Sequence, residues 1–352
     1  MNILFLYSEV MGYTEALFEA IHVLNIDAKV HCVHWDTDKK TPYKLSNTNV
    51  CYYARSNFKD EASLNQLVAT LNPKIIYVSG WMDKLYKSVV KQQKSLGIPI
   101  VTGLDDQWSG SVRQYIASFL SFLFIKPYYD YAWVAGVRQY EYARRLGFAP
   151  TKILKPLYSA NVDMFNISNN QTDKQKINHP PKRILFVGRF VEVKGIDLLV
   201  NSFKKLSTKF PEWELKIIGN GVLKSWIEKE AEGFNITVQD FLQPDKLVEE
   251  ITNASFFCLP STFEAWGVVV HEFAAAGMPL VVSNSCGSCT EFVVNNYNGY
   301  IFKSGDCIDL IEKLSKLMQK TQENLIEMGK KSFQLSQNIT PKNAAAALLS
   351  IL

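Results

Sequence analysis

Three short runs in the second half of the sequence carry residue types suited to holding a phosphate ester or a sugar. The first is Gly188-Arg189-Phe190 followed by Lys194-Gly195, which ends an apolar run and sets two cations five residues apart. An arginine offers a planar fork of donors and a lysine a compact, mobile charge, so the pair suits a diphosphate. A solvated loop with incidental cations has the same appearance. The second run is Glu264-Ala265-Trp266-Gly267, continuing to Glu272. Glu264 precedes a predicted helix start, where backbone N–H groups face an incoming anion, and Glu272 falls about two turns into the helix. Carboxylates there would accept hydrogen bonds from sugar hydroxyls, with Glu272 placed for a ribose diol. The plain alternative makes Glu264 a helix cap and Glu272 a solvated charge. Against that, Glu272 stands in the otherwise apolar VVVHEFAAAG, where an unpaired carboxylate is costly. The third run, NSCGSCTEFVV, brings Gly287 and Glu291 into a small-residue loop before another helix. Its Cys286-x-x-Cys289 has the spacing of half a zinc or redox site. No second pair has ligand spacing and His271 lies elsewhere, so the two cysteines read as small loop residues.

The elements that must position these residues alternate along the chain. Runs 2–7, 28–35, 49–54, 74–80, 98–104 and 131–136 read as strands, with helix-length segments 13–25, 61–72, 85–96 and 111–124 between them. Near-continuous apolar strands separated by helices predict a parallel sheet covered on both faces. The pattern stops near Phe165. Residues 166–181 are polar, rich in Asn, Gln and Lys, close on prolines and read as a linker. It then restarts, with strands at 183–189, 213–219, 236–241, 254–260, 279–284 and 299–303 and helices at 196–209, 222–232, 244–252, 268–276 and 307–331. Gly219-Asn220-Gly221 ends the second of these strands. The expected architecture is therefore α/β, with two doubly wound, Rossmann-like domains, 1–165 and 182–352, facing across a cleft. Ligands of such sheets bind beyond the carboxyl ends of the strands. A last helix, 341–352, has Pro341 in its first turn and is expected to pack back on the first domain.

Composition narrows the class further. With 352 residues, 47% hydrophobic and 12% aromatic, the chain is long enough for two cores and unlike a disordered or low-complexity sequence. The longest apolar run, Ile116 to Ile125, is half the ~20 residues that span a bilayer. The opening MNILFLYSEV lacks a basic leader and reads as a strand rather than a signal peptide. Six scattered cysteines suit a reducing compartment, so a cytoplasmic location is expected, with peripheral attachment at the inner face of the membrane as an alternative. The net charge of +4 is uneven. Residues 1–160 carry 18 Lys and Arg against 13 Asp and Glu, leaving 20 against 21 in the rest. A basic first half suits an anionic acceptor or a membrane surface, and scattered solvated lysines would give the same count. No dense basic block points to nucleic acid.

Taken in order, GRFVEVKGIDLLVNSF, LKIIGNG, LPSTFEAWGVVVHEFAAAGMPLVVSN and NGYIF resemble the GT4-type (group 1) retaining glycosyltransferases, which have the GT-B fold. NVDMF at 161–165 is similar to that family's end of the first domain. The Glu-x7-Glu spacing of Glu264 and Glu272 is the most specific element. The resemblance implies transfer of a sugar from a nucleotide-diphosphate-sugar donor to an acceptor hydroxyl on a glycan or lipid-linked acceptor, in bacterial-type surface glycan or glycolipid synthesis. Arg189 and Lys194 would neutralise the donor diphosphate, Glu264 would contact the donor sugar and Glu272 the ribose. Gly188, Gly219, Ala265, Trp266 and Gly267 would line the donor through their backbone. No cofactor is implied and no divalent metal, because cations and a helix terminus take over charge neutralisation.

The first half departs from the common pattern. The loop after the first strand, Ser8 to Tyr13, has the single glycine Gly12 where many relatives have a pair. Gly12 would let the backbone approach a phosphate, or be an ordinary turn residue. Where many relatives carry a histidine, this chain reads Gly103-Leu104-Asp105-Asp106. Asp105 or Asp106 would orient the acceptor hydroxyl or balance donor charge, or cap a helix. Segment 112–129, VRQYIASFLSFLFIKPYY, favours a buried core helix over one meeting a membrane interface. Two other activities fit the same motifs: a nonhydrolysing nucleotide-sugar epimerase, and a binding module that has lost catalysis.

Overall fold

The computed structural model describes residues 1–37, 43–167, 176 and 181–352. The chain forms two compact units, residues 1–159 with 339–352, and residues 160–338. The expected linker, 166–181, lies mostly outside the described residues.

The first unit holds a parallel sheet of strands β1 (Asn2–Tyr7), β2 (Lys29–His34), β3 (Val50–Ala54), β4 (Ile75–Val78), β5 (Ile100–Leu104), β6 (Tyr131–Val134) and β7 (Ile153–Leu154). Their order is β3-β2-β1-β4-β5-β6-β7, so the winding reverses between β1 and β4. The central strands β1, β4, β5 and β6 are buried on both faces, which is why they read as apolar runs. One layer of core contains Leu4, Val33, Ile76 and Val134; the opposite layer contains Phe5, Phe18, Tyr77 and Trp133. Into the second layer come Ala344, Ala345 and Leu348 from the C-terminal helix Pro341–Leu349, which packs on the helix Gly12–Leu24. Thr340 caps that helix through the Asn343 N–H, and its alanine face allows close approach.

Two elements of this unit escaped the sequence reading, the helix Val137–Arg145 and the two-residue β7. A third is corrected. The segment expected as one buried helix over 111–124 is two helices, Val112–Phe119 and Ser121–Phe124. Their large apolar side chains are exposed, and the polar Gln114 and Ser121 are the buried ones.

The second unit repeats the plan with β8 (Arg183–Val187), β9 (Glu214–Ile218), β10 (Ile236–Gln239), β11 (Phe256–Leu259), β12 (Leu280–Ser283) and β13 (Gly299–Phe302). All are parallel, in the order β10-β9-β8-β11-β12-β13, with the reversal between β8 and β11. Residues Ala160–Phe165, read from sequence as the end of the first domain, group with this unit. The Ala160 N–H donates to His271 Nδ1 at 2.9 Å, and the short helix Val162–Phe165 packs on the helix Val268–Ala275. The long helix expected over 307–331 is broken. One helix ends at Met318, and Thr321 caps the next, Gln322–Ser336, by accepting from the Asn324 N–H.

Candidate functional site

In a doubly wound sheet, loops leaving adjacent strands at the reversal point turn to opposite faces and leave a crevice between them. In the second unit those loops follow β8 and β11. The first carries Gly188, Arg189 and Lys194; the second carries Ser261 and Glu264. Phe190, fully buried, anchors the first loop, and the Thr262 N–H donates to the Val193 carbonyl at 2.9 Å, tying the two together. Lys194 Nζ donates to Glu264 Oε2, and Ser261 Oγ lies 3.5 Å from the same oxygen. Both side chains of the pair are largely covered, at 14% and 17% exposed. Arg189 is exposed, and its guanidinium has no ion pair or hydrogen bond among the described residues. An ammonium fixed by one carboxylate keeps two donors for phosphate oxygens, with a free guanidinium nearby.

The third sequence run joins this site. Glu264 forms a bridge with Cys286: its N–H donates to Ser285 O at 3.4 Å, and its carbonyl accepts from Gly287 N–H at 3.0 Å. The Trp266 carbonyl accepts from Ser288 N–H at 2.9 Å and from Cys286 Sγ at 3.1 Å. Ser288 Oγ donates to Gly267 O at 3.0 Å. Gly267 begins the helix Val268–Ala275 at φ +89°, and a Cβ there would lie 2.8 Å from Cys286 Sγ, so the close seam between these loops requires glycine. Burial, and next the Glu264 charge, push the Cys286 thiol up to about 12, and it serves as a small, inert packing residue. The Trp266 side chain is buried and meets the Phe292 edge, so only its backbone reaches the loop surface. Ala265 precedes it, half-buried.

Gly219, after β9, comes so close to the first loop that a Cβ would lie 1.9 Å from the Gly188 carbonyl oxygen. Phe190 N–H donates to Asn220 O at 2.7 Å beside it.

Glu272 and His271 divide the helix into two environments. His271 is fully buried: Nδ1 accepts from Ala160, Nε2 donates to the Ser336 carbonyl at 2.9 Å, and the ring stacks on Phe292. Those partners fix one neutral tautomer, and burial holds its pKa down at about 4. Glu272 is half-buried, and its carboxyl has no hydrogen bond or ion pair among the described residues. Burial pushes its pKa up to about 7. A carboxylate in that state is a receptor for hydroxyl donors brought by a ligand.

In the first unit, Asp105 and Asp106 follow β5, and Gly12 opens the helix after β1. The protein around Asp105 raises its pKa, by desolvation first and by the Asp106 charge second. Tyr158 Oη, 3.5 Å from Asp105 Oδ2, opposes this. Asp106 is raised by desolvation and drawn down by Arg113. Sequence reading missed the aromatic setting of Asp105. Tyr13 meets Tyr158 edge-on at 5.3 Å, and Tyr7 stacks on Tyr77 at 5.7 Å. The tyrosine ending β1 was the available signal.

Residues 168–332 match the family described as glycosyl transferases group 1. An uncharacterized glycosyltransferase of Haemophilus influenzae is 28% identical over 159 residues, 45% of this chain and 45% of its own. The capsular polysaccharide biosynthesis glycosyltransferase CapM of Staphylococcus aureus is 28% identical over 176 residues, 48% of this chain and 46% of its own. The chain spans about half the length of these curated relatives. Among solved structures, Alr3699/HepE of Anabaena in complex with UDP superposes with a TM-score of 0.75 at 14% identity over 100% of both chains. The class is thus set by the fold, two parallel-sheet α/β units as in the GT-B glycosyltransferases. The resemblance to the group 1 glycosyltransferases lies in the second unit, where residues 168–332 match that family.

Proposed function

We propose that the protein transfers a sugar from a nucleoside-diphosphate sugar to an acceptor hydroxyl, with retention of configuration and without a divalent metal. The observation that carries this reading is the Lys194–Glu264 pair at the reversal point of the second sheet, with Arg189 exposed on the same loop as Lys194 and the Glu272 carboxyl without a hydrogen bond or ion pair among the described residues. Lys194 and Arg189 would bind the diphosphate and stabilise the charge that develops as it leaves. Glu264 would hold Lys194 in place and accept from a hydroxyl of the donor sugar, and Glu272 would accept from the ribose diol. The backbone of Gly188, Gly219, Ala265, Trp266 and Gly267 would line the donor. In the transfer step the anomeric carbon–phosphate oxygen bond breaks as the bond to the acceptor oxygen forms, and the acceptor proton passes to the departing phosphate. Gly12 would let the backbone approach a phosphate, and Asp105 or Asp106 would orient the acceptor hydroxyl or balance donor charge.

The UDP bound to the Anabaena relative supports a nucleoside diphosphate as the donor's leaving group. The naming of CapM for capsular polysaccharide biosynthesis supports a surface polysaccharide as the product.

The test is a panel of nucleotide sugars incubated with glycan and lipid-linked acceptors in the presence of EDTA, with nucleoside diphosphate and glycosylated product measured together. Lys194→Ala and Glu264→Ala are each expected to lower turnover at least about a hundredfold while the far-ultraviolet circular dichroism is unchanged. Near-normal turnover in either variant would overturn the site. An altered donor sugar with no acceptor product would make the protein an epimerase, and binding without turnover a module.

A further inference from the structure

The helix Val112–Phe119 in the first unit is built inside out. Val112, Tyr115, Ile116 and Phe119 recur at the spacing of one helical face, and all four are exposed, Val112 at 74% and Phe119 at 78%. The opposite face is polar and turned inward. Gln114 is buried, donates through Nε2 to the Gln107 carbonyl at 2.8 Å, and accepts from the Ser109 N–H and hydroxyl at 2.8 and 2.9 Å. The next helix continues the surface, with Phe122, Leu123 and Phe124 each more than half exposed. Ser121, its first residue, and Ile125, just past its end, are buried. Seven large apolar side chains on one short stretch exceed the scatter expected of an ordinary protein surface. The specific bonds of Gln114 exclude a simple rotation of the helix to hide them.

The surroundings of this patch are cationic. From Gln107 to Tyr129 the chain has no acidic residue, while Arg113 and Lys126 lie within it, both exposed. At one end, Trp108 meets Tyr115 at 5.0 Å and carries the Arg145 guanidinium over its ring at 4.3 Å. At the other end, Lys87 stands 4.5 Å over the Tyr128 ring and Lys94 Nζ donates to the Lys126 carbonyl. Those two lysines belong to the helix Lys84–Ser95, which also exposes Lys84 and Lys91. Nearby acids are few and face cations: Asp106 interacts with Arg113, Asp130 pairs with Lys94, and Glu141 pairs with Arg145.

We infer that this face docks on an anionic phospholipid bilayer, with the aromatic and aliphatic side chains of 112–124 entering the interface and the surrounding lysines and arginines resting on lipid phosphates. An apolar face rimmed by cations is the arrangement that gains from both the acyl boundary and the surface potential. A second copy of the chain would bring the same cations against themselves, which favours lipid over self-association. The inference concerns attachment alone and stands whether or not the donor reading holds.

Sedimentation of the purified protein, residues 1–352, with vesicles, with no nucleotide sugar present, tests it. Binding is expected to vesicles of 70% phosphatidylcholine and 30% phosphatidylglycerol at 50 mM NaCl. It should weaken at least tenfold at 500 mM NaCl or on pure phosphatidylcholine. The double variant Phe119→Ser/Phe122→Ser should lose at least about tenfold in partition coefficient. The double variant Lys84→Glu/Lys91→Glu should lose binding to anionic vesicles while leaving the apolar face intact. Both variants should keep the thermal midpoint of the parent. Failure of the parent to sediment with anionic vesicles would overturn the proposal. So would equal binding to neutral ones, or a concentration-dependent dimer that Phe119→Ser/Phe122→Ser abolishes.

Discussion

Glu272 stands next to His271 in one helix, and the two are treated oppositely by the protein. His271 has both ring nitrogens satisfied internally and is neutral by construction. Glu272 has no such partners among the described residues, and burial raises its pKa from the ordinary 4.5 to about 7. Between those values the folded state binds more protons than the unfolded one, so this group's contribution falls as pH rises through that window. Glu272→Gln should therefore stabilise the ligand-free protein by about 1–3 kcal/mol at pH 8 and leave it unchanged near pH 4. Hydroxyl donors from a ribose favour the charged carboxylate, so nucleotide affinity of the parent should rise between pH 6 and 8. Glu272→Gln should bind at least about tenfold more weakly. Urea melts at the two pH values and calorimetric titration check both halves; a variant that is less stable at pH 8 would contradict the origin given for the raised pKa. The glutamate spacing exposed this residue in the sequence, because a carboxylate within an apolar run has few inexpensive explanations. The Lys194–Glu264 pair was not legible as a contact. The partners are 70 residues apart, and only the adjacency of β8 and β11 brings them together.

At the scale of elements, strands were the clearest feature of the sequence, since full burial leaves an uninterrupted apolar run. Helices were read less well wherever their polarity departed from the usual sidedness. The helix Val137–Arg145 is mostly polar and escaped, and Val112–Phe119 has its apolar face turned outward, a choice that periodicity alone does not reveal. A buried helical carboxylate was also hidden. Glu15 accepts from the Tyr43 and Tyr52 hydroxyls, from the Ser46 hydroxyl, and from the Ser46 and Asn47 N–H groups, all within 2.7–2.9 Å. It thereby fastens the segment before β3 to the helix Gly12–Leu24. Burial alone would raise its pKa, and these bonds outweigh burial and hold it below the ordinary value. The stability it confers is present above pH 4.5 and lost as pH falls through its lowered folded pKa. Glu15→Ala should cost about 2–4 kcal/mol at pH 7, because the tyrosine hydroxyls lose a charged acceptor. The deficit should shrink below pH 4, which denaturant titrations of parent and variant at pH 7 and pH 3 would read directly. A cost that is the same at both values would assign Glu15 a packing role instead.

For the whole molecule, the chain path matters more than the count of domains. The first unit is discontinuous: the chain leaves it at Ser159 and returns at Ile339. Its core is completed by residues 339–352, with Leu348 fully buried against a cluster that includes Leu17, Phe18 and Ile21. Truncating Leu348 opens a cavity in the first unit alone, so Leu348→Ala should destabilise that unit by about 2–5 kcal/mol. If the residues around Lys194 and Glu264 bind a nucleoside diphosphate as proposed, the ligand would stabilise the second unit in proportion to its saturation, by about 2.7 kcal/mol at a hundredfold excess over its dissociation constant. The two perturbations should therefore separate in calorimetric scans. Leu348→Ala should lower the transition of the unit carrying β1–β7, and nucleotide should raise the other, whether or not leucine is present at 348. If Leu348→Ala instead abolished the shift caused by nucleotide, the donor site would depend on the completed first unit, and the assignment of donor binding to residues 160–338 alone would fall.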